Sequence, residues 1–470
     1  MCAVDLDSQP MYESTLTSVN VAGPKGLPLV GSTLDIQRDT LGFFDRARKY
    51  GGMFSFQMLT PQGKLDVYSA SEPEYVEHVL KTNRKNYRKS GAYSRLGSIM
   101  GNGLLVSEGD FWLRQRRLSQ PAFHHQRLQL LANSIAEATE QMISERWDTL
   151  APGEPIDVAE EMSRLTLTVV GRALLSTDLA NVSPEVGRAV QDVLDHASKR
   201  IKAAVAVPEN APTPGNRRFR RSLAVLNELV YGIIRDHRAR GEDTGDLMSM
   251  LMAARDEDTG ESMTDDQLRD EVMTAIIAGH ETTAAALSWT WYLLSKSPDA
   301  RRSLEHEAEE VIGSGLADFA AYQRLEYAQA IFKETLRLYP PAWLIARRAN
   351  EDDEIGGVSV AAESRVVLSP YVTHRDPALW KNPEGFDPSR FLPENEEALP
   401  QEEFSYYPFG GGPRQCMGRN LALMEGPIIL ATIARRYQLD LVPGAAVLPE
   451  AKVTLRPVPA VPVVPLPRAR

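Results

Sequence analysis

Cys416 is the side chain with the most chemistry in its surroundings. It closes the run Phe409-Gly-Gly-Gly-Pro-Arg-Gln-Cys416-Met-Gly418, and the chain's other cysteine, Cys2, sits at the far N-terminus. Three glycines and a proline ahead of Cys416 make a loop whose backbone can turn tightly and come close to another group. The apolar residues from Asn420 to Tyr437 predict a helix straight after it. Cys416 then stands at a helix N-terminus, where the dipole favours a thiolate. A thiolate on such a loop is what a haem iron needs as a strong axial ligand. Two other readings compete. A lone cysteine is most often a small buried hydrophobe. A glycine run before a helix can also cradle a phosphate, but no Lys-Ser or Lys-Thr follows it here, so the P-loop pattern fails. A second chemical stretch is Ala278-Gly279-His280-Glu281-Thr282-Thr283, inside a long apolar segment. His280-Glu281 begins a zinc-protease motif, but position 284 is Ala, so that motif fails too. What remains is an acid and a hydroxyl in a helix weakened by a mid-helix glycine and by threonine back-bonding, a place where a small molecule can sit and protons can be relayed.

Phe409, Gly412, Arg414, Cys416 and Gly418 fill every fixed position of a pattern that resembles the haem-binding signature of the cytochrome P-450 family. Ala278 to Thr283 resembles the family's oxygen-activation segment, and Trp112 and Arg116 match its Trp-x-x-x-Arg helix. Glu334-x-x-Arg337 with the later Phe386-Asp-Pro-Ser-Arg390 matches its ion-pair helix and meander arginine. The resemblance covers roughly residues 21–460. It implies a mainly α-helical fold with small β-sheets, in one domain after a disordered tail 1–20, with haem b between the long oxygen helix and the cysteine-loop helix. It implies Cys416 as iron ligand; Phe409, Gly410, Gly418, Ala278 and Gly279 around the cofactor; and Trp112, Arg116, Arg347 and Arg414 on its propionates, with Arg348 as the alternative to Arg347. Glu281 and Thr282 would deliver protons, and Glu334, Arg337 and Arg390 would lock the cysteine loop. Trp343, Leu344, Ile345 and Leu105 would face the substrate.

The activity so implied is a monooxygenase that inserts one atom of O2 into a lipophilic small molecule such as a lipid, terpenoid, steroid or polyketide. Electrons would come from a ferredoxin or flavodoxin with its reductase, because no flavin or ferredoxin domain is visible. A haem-thiolate isomerase, dehydratase or coupling enzyme, or a non-catalytic haem sensor, is the alternative; the intact acid–threonine pair favours the monooxygenase.

Other elements must hold these residues. Thr264-Asp-Asp-Gln267 reads as a capping box opening a helix that runs to about Ser295. Met53–Leu59 and Lys64–Ser69 read as a hairpin around Pro61-Gln62-Gly63. Residues 84–107 read as a long polar loop, which the resemblance places over the cofactor, and the proline-broken stretch 207–216 reads as non-helical, which the resemblance matches to a mobile lid between two helices. Arg114, Arg117 and Arg127 with His124 and His125 read as a docking patch for an acidic electron carrier, with a plain solvated face nearly as good an account. The chain has 470 residues, 43% of them hydrophobic, and 52 basic against 63 acidic side chains leave a net charge of −11, which argues against bulk nucleic-acid binding. Two distant cysteines point to a reducing compartment, and residues 1–30 hold no long apolar run, so a cytoplasmic, bacterial-type protein without a membrane anchor is expected.

Overall fold

The computed structural model describes residues 21–60, 63–123, 125–177, 184–203, 207–241, 246–256 and 260–468. The tail 1–20, the turn residues Pro61 and Gln62, His124, and the side chains of His125 and Arg127 lie outside what is described.

The architecture is helical with a small sheet lobe. The helix Asp265–Lys296 is the axis. Its capping box forms: the Thr264 hydroxyl accepts from Gln267 N at 3.2 Å, and Gln267 Oε1 accepts from Thr264 N at 3.0 Å. From Val272 to Leu294 it is mostly apolar and buried, as suits a helix packed on most of its faces. Against it lie the helices Val158–Leu175, Pro214–Arg240, Glu326–Leu338 and the cysteine helix Arg419–Arg436. The cysteine helix contains Pro427 and sits tightly on Glu326–Leu338; a Cβ at Gly426 would fall 2.5 Å from the Phe332 ring. One hydrophobic cluster runs through all these helices, and no helix among the described residues is long and apolar enough to cross a membrane.

The sheet lobe has five strands, in the order Met53–Thr60, Gly63–Ala70, Arg365–Leu368, Ile345–Ala349, Tyr87–Lys89. The hairpin register pairs Met53 with Ala70 and Thr60 with Gly63. Phe44, Phe54, Phe56 and Trp343 fill its own core. Residues 84–107 are not one loop. They hold the edge strand Tyr87–Lys89 and the short helices Gly91–Ser94 and Gly97–Met100, because Tyr87 to Lys89 find ladder partners in Arg347 to Ala349. The stretch 207–216 is pinned: Asn216 Nδ2 donates to Pro208 O at 2.8 Å and Ala211 O at 2.9 Å, and Arg200 pairs with Glu209 at 3.2 Å.

Candidate active site

The glycines before Cys416 shape its loop in specific ways. Gly410 and Gly412 adopt φ of +67° and +63°, which side-chain-bearing residues rarely do. A Cβ at Gly412 would lie 2.0 Å from Leu80 O, and one at Gly411 would strike the Phe404 ring. Cys416 N donates to Phe409 O at 3.0 Å and Gly410 N to Tyr407 O at 2.9 Å, while Arg116 Nη1 reaches over to Gln415 O at 2.8 Å. Cys416 is hemmed in by protein yet solvent-accessible, so it lines an internal cleft. Gly418 keeps the space beside the sulfur open, since its Cβ would lie 4.0 Å from Sγ. One expectation needs correcting. The helix begins only at Arg419, and burial pushes the Cys416 thiol up; the Gly418 N–H, Arg116 and Arg419 pull it down but do not win. The helix dipole alone does not make a thiolate here; a cation on the sulfur is required.

Cations gather beside the cysteine loop. Arg347 is buried on the strand Ile345–Ala349, whereas Arg348 points outward to Glu363, so the register favours Arg347. Arg414 pairs with Glu108, donates to Ser107 O at 2.8 Å and stacks 4.0 Å over the Trp112 ring. Lys89, which sequence reasoning missed, donates to Leu104 O and Ser107 O, each at 3.0 Å. Burial, then Arg414 and Arg347, bring its pKa down to about 7. Among the described residues neither Lys89 nor Arg347 has an ion-pair partner. Half-buried cations without counter-charges suit a ligand carrying two carboxylates. No spacing in Tyr87-Arg-Lys89 signals this; only the strand pairing turns Lys89 inward and sends Arg88 out to Glu363.

On the long helix, the accessible positions between Glu271 and Trp291 are Ala275, Ala278, Gly279 and Thr282. Their spacing is one helical face. That face of small residues is open while every other face is packed. The Thr282 hydroxyl donates to Ala278 O at 2.6 Å. Gly279 also lets the helix Val158–Leu175 approach, with Val170 Cγ2 3.0 Å from where its Cβ would be. Glu281 lies off this stripe. It is buried, and its carboxylate accepts from Gln191 Nε2 and from the Thr454 hydroxyl, both at 3.0 Å, rather than pointing along the open face. His280 is buried against Ser163 at 2.9 Å. Thr283, on the packed side, hydrogen-bonds Glu425 of the cysteine helix.

Glu334 and Arg337 are fully buried and form a two-point fork, 2.7 Å on each arm. Arg337 also donates to the carbonyls of His374, Pro383 and Gly385. Arg390 is the looser member, 3.4 Å from Glu334 through an Nε without a hydrogen bond. Of the pocket residues, Leu105 and Leu344 are accessible. Trp343 and Ile345 are buried: Trp343 packs on Phe44 and donates to Lys452 O at 3.0 Å, so it fills the sheet-lobe core instead of a pocket. The docking-patch reading loses Arg114, which turns inward to the buried Asp256 at 3.4 Å.

This is a mostly helical fold in which a cysteine loop and an open helical face share a cleft with a set of cations. A family model for cytochrome P450 matches residues 21–462. Cyclooctatin synthase of Streptomyces melanosporofaciens is 38% identical over 439 residues, 93% of either chain. Cyclooctat-9-en-7-ol 5-monooxygenase of the same organism is 35% identical over 90% of each. Pentalenene oxygenase of Streptomyces avermitilis is 32% identical over 93% of this chain and 95% of its own. The chain belongs to the cytochrome P450 family. It is a haem b enzyme and a monooxygenase, which uses O2, a lipophilic substrate and a redox partner.

Proposed function

We propose that the protein oxygenates a terpenoid, by hydroxylation or epoxidation of an apolar carbon skeleton, with electrons from a ferredoxin or flavodoxin and its reductase in the cytoplasm. The three relatives above support the substrate class, two of them by names that state an oxygenase reaction. The observation that carries the reading is the open stripe Ala275, Ala278, Gly279, Thr282 on an otherwise packed helix. It leaves room for two small reactants and offers a single hydroxyl.

Cys416 on its glycine loop would ligate the haem iron, and Arg347, Lys89, Arg414 and Arg116, with Trp112 stacked on Arg414, would hold the propionates. When bound, the haem supplies dioxygen activation, with thiolate donation favouring O–O cleavage. The chain does the rest. Thr282 donates to Ala278 O, so its oxygen is free to accept a hydrogen bond in the cleft, and it passes a proton on when its own O–H turns from Ala278 O. Glu281, held off the open face by Gln191 and Thr454, serves as the proton reservoir by leaving those partners and turning toward the cleft. The apolar side chains Leu105 and Leu344 exclude water and seat the hydrocarbon. Glu334 and Arg337, with Arg390, hold the meander under the cysteine loop. In the test, Thr282→Ala consumes reductant and O2 without a matching yield of product; unchanged coupling removes Thr282 from this role. A sample whose reduced CO complex lacks the long-wavelength thiolate band refutes Cys416 ligation.

A further inference from the structure

The segment Gly101-Asn-Gly-Leu-Leu-Val-Ser107, read as the roof of the cleft, is fastened on one side by long-helix carboxylates with no role so far and on the other by Lys89. On the long-helix side, Asn102 N donates to Asp270 Oδ2 at 2.7 Å and Leu104 N to Glu271 Oε2 at 3.2 Å. The other Glu271 oxygen accepts from the buried Gln115 Nε2 at 3.2 Å. The approach is at the limit of what sterics allow. A Cβ at Gly103 would lie 2.2 Å from Thr274 Oγ1 and 2.6 Å from Asp270 O, and one at Gly101, where φ is +54°, would meet the Asp270 carboxylate. On the opposite side, Lys89 takes the carbonyls of Leu104 and Ser107. Leu104, Leu105 and Val106, suspended between these anchors, are partly accessible.

We propose that Glu271 is a positioning residue for substrate selection. It clamps Leu104 to the long helix, Lys89 ties the same residue to the propionate cations, and the two set the height of the apolar roof over the open stripe. Glu271 sits two turns before Gly279 and touches no reactant, so it acts only through Leu104 to Val106. The charged groups around it are Asp270 on its own helix and Lys89 on the edge strand, with Gln115 its neutral partner from the helix Gly109–Ser119. This inference rests on the haem-enzyme reading above.

The test uses the holoprotein with Gly103→Ala, Glu271→Leu and Glu271→Gln, titrated spectrally with imidazole and with a bulky aryl imidazole, and followed by hydrogen exchange of residues 101–107. Losing a hydrogen bond to a charged acceptor shifts the balance between docked and lifted roof by about tenfold. Gly103→Ala and Glu271→Leu therefore change the affinity ratio of the bulky to the small ligand by about tenfold and speed exchange at Leu104. Glu271→Gln keeps the wild-type ratio, because a Gln carbonyl still accepts from Leu104 N while Gln115 turns its amide. The proposal is overturned if the CO complex of the variants is normal and the ratio stays within about twofold of wild type. It is also overturned if both variants lose haem and thermal stability together, which makes Glu271 merely structural. A wild-type protein without the thiolate CO band defeats the haem reading instead.

Discussion

Replacing Arg337 by Met removes both arms of the fork on Glu334 and three further hydrogen bonds at once. Glu334 is fully buried and would keep only the Asp387 N–H at 2.9 Å and Arg390 at 3.4 Å. The carbonyls of His374, Pro383 and Gly385 would lose their guanidinium partner, the first of them in a buried position. Breaking a buried pair from one side costs about 3–5 kcal/mol. Unfolding entropy near 2.1 cal/mol/K per residue gives about 1 kcal/mol/K for a chain of this length, so Tm falls by roughly 3–5 °C. Arg337→Lys, which reaches Glu334 but not three carbonyls, falls in between. Glu334→Leu combined with Arg337→Met removes the stranded charge and recovers part of the loss; the orphaned carbonyls keep it from recovering all. Thermal denaturation of the holoproteins, with the haem-to-protein absorbance ratio recorded alongside, measures each step. A Tm for Arg337→Met within about 1 °C of wild type at full haem loading would refute the reasoning, because it would mean that the buried carboxylate needs no counter-charge.

Lys89→Met should act with opposite signs on the two forms. The Lys89 amine is held down at about 7 by burial and by two arginines, so its charge costs the apoprotein stability that returns only as pH rises from about 7 toward 10.5. The variant therefore makes the apoprotein more stable near neutrality, by calorimetry, while haem transfer to apomyoglobin becomes several-fold faster. Glu425, fully enclosed, is pushed up to about 8 by burial against an ordinary 4.5. Stability that depends on its proton is complete below about 4.5 and lost as pH climbs to about 8, on the order of 4 kcal/mol in all. Glu425→Gln should flatten that slope in Tm against pH, and an unaltered slope rules the residue out. Gln191→Leu takes one of two donors from Glu281 and frees Arg456, which now binds Gln191 Oε1 at 2.9 Å. The product formed per reductant consumed should fall and the solvent isotope effect rise, with haem loading intact; unchanged coupling makes the contact incidental.

How much of this was legible in the residues varies with the kind of interaction. Short-range patterns carry their structure with them. The capping box at Thr264, the glycine loop at Cys416 and the Glu334–Arg337 spacing are each set within a few residues, and all three have the geometry their spacing permits. Partners drawn from distant segments leave no local trace. Lys89 is an unremarked lysine until Tyr87 to Lys89 pair with Arg347 to Ala349. Glu281 is adjacent to Thr282 in sequence but about 100° round the helix from it, and its partners Gln191 and Thr454 lie 90 and 173 residues away on either side in sequence. The resemblance puts Trp343 in the pocket; Phe44 and Lys452, which claim it, cannot be read from that segment. Arg114 looked free in an exposed basic run, and Asp256 lies more than a hundred residues away.

The same non-local cations explain why cofactor and fold are coupled. Lys89 comes from the edge strand, Arg347 from the next, Arg414 from the cysteine loop and Arg116 from the helix over it. Three of them sit within each other's field, and burial disfavours the charge on both Lys89 and Arg414. In the protein alone that arrangement is a repulsion between the sheet lobe and the helical body. A dianion placed among them turns repulsion into attraction across the same boundary. Haem binding then stabilises the native state beyond the contribution of the Cys416 bond, in proportion to the logarithm of ligand over dissociation constant. It also tightens the roof, since Lys89 and Arg414 are the two groups that grip the carbonyl of Ser107. On the proposed assignment, assembly of the pocket roof would be linked to the arrival of the cofactor through these four side chains.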